Sequence, residues 1–154
     1  MSTISRVLLF APLVATLLSA CALFQPPGEL DLTLSKPSKA AAYTLAIAPA
    51  RGGVAVNQMH SWTIRVRYPA GEPVKGAHIT FDGGMPQHMH GFPTKPRVTE
   101  ETEAGSYRLD GVKFSMRGWW EMKFHINGAG GTDSVTFNTV ITDAGLATTA
   151  LDYK

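Results

Sequence analysis

The sequence predicts an all-β domain, an antiparallel sandwich of about seven strands over about 110 residues. Three observations carry that prediction: short runs of strict apolar/polar alternation, Gly- and Pro-rich breaks between them, and a Gly-x-Tyr element before a late strand. From position 42 onward no apolar stripe of helical period lasts longer than a turn or two.

The plainest strand is Trp62, Ile64, Val66 and Tyr68 alternating with Thr63, Arg65 and Arg67. A second puts Ile79 and Phe81 inward and His78, Thr80 and Asp82 outward. In a third, Trp120, Met122, Phe124 and Ile126 share one face, while Trp119, Glu121, Lys123 and His125 share the other. Val135 and Phe137 continue the pattern, and turns are expected over 69–73 and 127–131. Tyr107 and Leu109 have odd parity but Val112, Phe114 and Met116 even parity, so Asp110-Gly111 must either bulge the strand or turn it. Gly105-Ser106-Tyr107 resembles the tyrosine corner of immunoglobulin-type sandwiches, in which a Tyr hydroxyl ties back to the chain. The predicted fold is therefore immunoglobulin-like, with a small closed barrel as the alternative.

The start of the chain is of another kind. Arg6 precedes an uncharged run over 7–20, 14 residues broken only by Pro12, Thr16 and Ser19. A membrane-spanning helix needs about 18 or more apolar residues, so this run reads as the core of a signal peptide, and export follows. Leu18-Ser19-Ala20-Cys21 resembles the bacterial lipobox, in which the cysteine is acylated and becomes the new N-terminus. Cys21 is the chain's single cysteine, which excludes a disulfide framework and any CxxC site. Ala22 in place of Asp favours the outer membrane if the host is Gram-negative. Residues 21–41, with Pro26, Pro27, Gly28 and Pro37, read as a lipidated tether before a domain over 42–154.

Without residues 1–20 the chain has 13 basic and 12 acidic residues, since only Arg6 is lost. That balance leaves no electrostatic footprint for nucleic acid. There is no G-x-S-x-G, no H-E-x-x-H and no phosphate-cradling loop, so an enzyme is not expected.

Chemistry concentrates in one place. The mature chain has five His and five Met, so six consecutive residues would hold about half of one by chance; Met85-Pro86-Gln87-His88-Met89-His90 holds four. Imidazole suits Cu, Zn and Ni, whereas thioether sulfur favours a soft ion, in practice Cu(I). On an extended segment His88 and His90 project to one side with Cα atoms about 7 Å apart, and Met89 points away. Met85 joins them only if the chain turns, which Gly83-Gly84 and Pro86 make feasible. Met116 has core parity but lies just before Gly118, where a rim position would make it a further ligand. Met59-His60 is a second soft pair, and His78 and His125 are expected to be solvated. Trp119 is expected on the outer face, where it offers an interaction surface.

Met85-Pro86-x-His88-x-His90-Gly91 with Pro93, then Gly105-x-Tyr107, then Phe114-x-Met116-x-Gly118-x-Trp120, resembles the YtkA-like domain, which is related to FixH-type proteins. The resemblance covers roughly residues 42–142. It implies an immunoglobulin-like sandwich outside the cytoplasmic membrane, in a family associated with copper handling and oxidase maturation. Two positions depart from the family pattern: Met89 stands where a small residue is frequent, and Arg117 where Pro is frequent. The expectation is a membrane-tethered copper-binding lipoprotein that buffers the ion or passes it between donor and acceptor proteins. The competing expectation is a metal-independent module that docks an oxidase or efflux assembly.

Overall fold

The computed structural model describes residues 27–153, so the signal segment and Cys21 lie outside the described residues. In chain order the strands are β1 (Ser35–Pro37), β2 (Thr44–Pro49), β3 (Met59–Arg67), β4 (His78–Met85), β5 (His90–Gly91), β6 (Arg97–Glu103), β7 (Ser106–Lys113), β8 (Gly118–Gly128), β9 (Gly131–Thr142) and β10 (Gly145–Leu146). Seven have six or more residues, matching the strand count expected, and three short pieces extend the edges. They form two five-stranded sheets, β1-β2-β3-β7-β6 and β10-β9-β8-β4-β5, with every pair antiparallel. Two separate sheets make this a sandwich and not a closed barrel. Among the described residues no helix is long and apolar enough to cross a membrane.

The alternation places the core as predicted. Trp62, Ile64 and Val66 of β3 face Trp120, Met122, Phe124 and Ile126 of β8, and all are fully buried. Each such side chain contributes on the order of 2–3 kcal/mol by leaving water.

Asp110-Gly111 bulges β7 and does not end it. His60 pairs with Val112 and Trp62 with Leu109, so one residue of β3 opposes two of β7. Gly111 takes φ +84° to make this possible, and Leu109 and Val112 both reach the core despite their opposite parity. Asp110 secures the bulge by accepting from Ser61 Oγ, from Thr99 Oγ1 at 2.9 Å and from Arg108 Nε at 2.9 Å.

The tyrosine corner is present. Tyr107 Oη donates to Val74 O at 2.6 Å and accepts from Ala77 N at 2.9 Å, clamping the β3–β4 connection to β7. Gly105 (φ +70°) cannot be replaced without strain, because a Cβ there would lie 2.7 Å from Val66 O.

The sandwich also takes in residues read from sequence as tether. Ser35–Pro37 pairs with β2, and Lys39 N donates to Ser134 O at 2.8 Å. Next to it the Asp133 carboxylate accepts from Ser38 Oγ at 2.6 Å and from the amides of Ala40, Ala42 and Ser134. Burial pushes the Asp133 carboxyl up, but these donors outweigh it and hold the pKa at about 2. The low apolar periodicity of this segment hid its order, because it is held by hydrogen bonds and not by a buried face.

Candidate metal centre

The His/Met element is a tight turn at one end of the second sheet. Gly83 and Gly84 bring β4 to it with φ +149° and +158°, and their lack of side chains is a steric requirement. A Cβ on Gly83 would lie 2.1 Å from Glu121 O, and one on Gly84 2.2 Å from His90 O. The backbones of β8 and β5 can approach β4 only because both positions are glycine.

Beyond Met85, Pro86–His88 forms a single 3-10 turn. Met89 is left-handed (φ 53°) and donates its N–H to Pro86 O at 3.3 Å. The chain then reverses, so that His90 pairs with Met85 and Gly91 with Gly84. The extended His-x-His segment expected from sequence is thus corrected: proline and the left-handed residue fold it into a turn. The turn still brings the two imidazoles together, with ring centroids 5.8 Å apart.

His90 is held from two sides. Its Nδ1–H donates to Gly91 O at 2.9 Å, and since a carbonyl can only accept, this selects the tautomer with its lone pair on Nε2. The ring also stands at 69° to the indole of Trp120, centroids 5.7 Å apart. Trp120 is itself locked, donating Nε1–H to Met116 O at 3.1 Å and packing on Phe92 and Phe114.

The methionines divide. Met85 lies directly opposite His90, and residues paired in that way share one face of the sheet. It is 1% exposed, and its Cε would lie 3.0 Å from a Cβ on Gly118, so that glycine makes room for the thioether under the turn. Met116 leaves the core that its parity suggested: residues 114–117 are outside the strands, and its side chain is 39% exposed at the rim. Met89, at the tip, is 94% exposed.

Met59 and His60 belong to the other sheet, and His60 is already engaged. Its Nε2 lies 2.9 Å from Ala55 O and 3.2 Å from Ala55 N, so either tautomer is tied to that loop. His78 and His125 are exposed on outward strand positions, as expected. Trp119 is half-buried on the outer face, with Nε1–H donating to Asn138 Oδ1 at 3.0 Å.

Among the described residues no three His, Cys, Asp or Glu side chains converge to hold a metal. Among the described residues a zinc-type N/O site lacks a third ligand, whereas two imidazoles with the thioether of Met85 would make a donor set of the kind a soft monovalent ion takes. The role of Trp120 beside His90 was missed from sequence. The Phe114-x-Met116-x-Gly118-x-Trp120 spacing carried the signal, since it threads a loop back under the turn.

The fold and this turn define the class, an all-β sandwich domain with a His/Met element at one end. The YtkA-like family profile matches residues 37–125, more than half of the chain, and the chain belongs to that family. No curated protein sequence matches it. Among solved structures, a ZirS C-terminal domain is similar at 14% identity and TM-score 0.41, covering 90% of this chain and 86% of that one.

Proposed function

We propose that this protein is a lipid-anchored envelope protein that binds Cu(I) and buffers it or passes it on. The observation that carries the reading is the His88–His90 turn, with imidazoles 5.8 Å apart and Met85 opposite His90. His88 and His90 would supply nitrogen, and Met85 sulfur from below. Met89 and Met116, at the tip and the rim, would capture or release the ion and are not fixed ligands. Bound copper would supply a transferable soft cation, and the protein's part is to hold it reversibly. Exposed His90 and Met89 allow a partner's ligands to enter, which suits exchange better than storage. The role needs no catalytic group.

Acylation of Cys21 would anchor the chain, because each buried lipid CH₂ contributes about 0.8 kcal/mol and two or three chains give stable attachment. If the host has two membranes, Ala22 favours the outer one.

Long-range ¹H–¹⁵N spectra of the five imidazoles during Ag(I) or Cu(I) addition test the metal reading. Shifts confined to His88 and His90 support it. Unchanged His88 and His90 signals at stoichiometric metal would end it in favour of a metal-independent docking module.

A further inference from the structure

The chain on either side of β1, from Asp31 to Lys39, runs along β9. Lys39 N donates to Ser134 O at 2.8 Å. Four residues along β9, Asn138 Nδ2 donates to Asp31 O at 3.1 Å. Between them Lys36 Nζ lies 5.3 Å from the Phe137 ring centroid. Ser134, Phe137 and Asn138 ascend β9 toward Ile141, which pairs with Gly118 beside Met85. Followed backward from Lys39 to Asp31, the chain therefore climbs toward the end that carries the His/Met turn. Ten residues separate Asp31 from Cys21, a reach of at most about 35 Å.

That same end is soft and cationic. Three of the four exposed large apolar side chains among the described residues, Met59, Met89 and Met116, sit there; the fourth, Leu151, belongs to the C-terminal 3-10 turn. Lys113 pairs with Met59 across the ladder, Arg51 lines the hollow beside Met59 and His60, and the carbonyl of Lys95 lies beside Gly111. None of the four salt bridges among the described residues uses Arg51, Lys95 or Lys113. Of the nearby carboxylates, Asp110, Glu121 and Asp143 are paired with Arg108, Lys123 and Arg117, and Asp82, which lines the hollow with Met89 and His90, leaves one negative charge against the three cations.

We propose that this end of the sandwich lies against an anionic phospholipid surface, the bilayer that holds acylated Cys21. The orientation rests on the lipid-anchor reading above. Lysine and arginine stems reach headgroup phosphates while flexible methionines enter the interface between them. The His88–His90 turn then opens toward ligands presented at the membrane and not toward bulk solvent.

The test uses the full acylated protein in phosphatidylethanolamine/phosphatidylglycerol vesicles carrying a headgroup quencher. A fluorescent residue is introduced at Ala144, exposed in the β9–β10 turn at the site end, or at Glu72, exposed at the opposite end. Quenching roughly threefold stronger at 144 is expected, falling in the Arg51→Glu/Lys113→Glu variant and in phosphatidylcholine alone. Equal quenching, or stronger quenching at 72, overturns the proposal. So does an orientation that appears only in membranes containing integral proteins, since the occupant is then a protein. Mass spectrometry of Cys21 separates the two readings. If the cysteine is not acylated in cells the anchor reading fails, and the orientation is then measured on protein coupled through the Cys21 thiol to a maleimide lipid.

Discussion

The imidazole of His90 stands nearly edge-on to the indole of Trp120, ring centroids 5.7 Å apart at 69°. One partner is a fully buried core residue and the other an exposed turn residue, so the pair couples the candidate metal turn to the packed interior. Trp120 Nε1 is held by Met116 O, which brings the loop of the third methionine into the same unit.

An optical consequence follows. Metal at His90 is expected to quench or shift the emission of Trp120, whereas Trp62 and Trp119 lack this contact. Titration with Ag(I) or Cu(I) should change wild-type fluorescence, and Trp120→Phe should lose most of that response. Persistence of the full response in Trp120→Phe would place the metal elsewhere.

Gly83 and Gly84 are expected to tolerate no side chain. A Cβ at either meets a backbone oxygen at 2.1 or 2.2 Å, so Gly83→Ala or Gly84→Ala should destabilise by about 2–4 kcal/mol. Denaturant unfolding measures this, and a loss under about 0.5 kcal/mol would mean that the strands part easily.

Tyr107→Phe removes a hydroxyl that donates to Val74 O and accepts from Ala77 N. Leaving those groups unpaired in the corner should cost about 1–3 kcal/mol, read as a lower Tm. Metal affinity should be unchanged, because the corner lies at the opposite end from the turn.

Asp133 should make stability pH-dependent. Its folded pKa of about 2 lies below the ordinary 3.8, so it binds protons more readily when unfolded. Its stabilisation, on the order of 2 kcal/mol, is complete above about pH 5 and is lost as pH falls through 4 toward 2. Asp133→Asn should be less stable than wild type at pH 7, and the gap should narrow at pH 2. A gap independent of pH would show that the carboxylate's charge is not what stabilises.

Much of this was legible in the sequence, and the limits were physical. Period-two alternation located β3, β4 and β8, because half-buried strands must alternate. The parity break at Asp110-Gly111 showed that something irregular stood there, and only the pairing of His60 with Val112 made it a bulge. Ser35–Pro37 and the Asp133 clasp escaped because hydrogen bonds to backbone amides leave no apolar pattern. At the candidate turn, composition singles out His88 and His90, and the closeness that an extended segment would give them arises instead from a 3-10 turn and a left-handed residue. Met116 departed from its parity because the strand ends at Lys113, three residues before it.

Competition for Cu(I) against a chromophoric chelator reads copper binding by His88 and His90 without an intermediary. The wild-type mature chain should take up one Cu(I), His88→Ala/His90→Ala should bind roughly a hundredfold more weakly, and Met85→Leu should fall between. Wild-type affinity retained by the double variant would mean that the two histidines do not hold the ion.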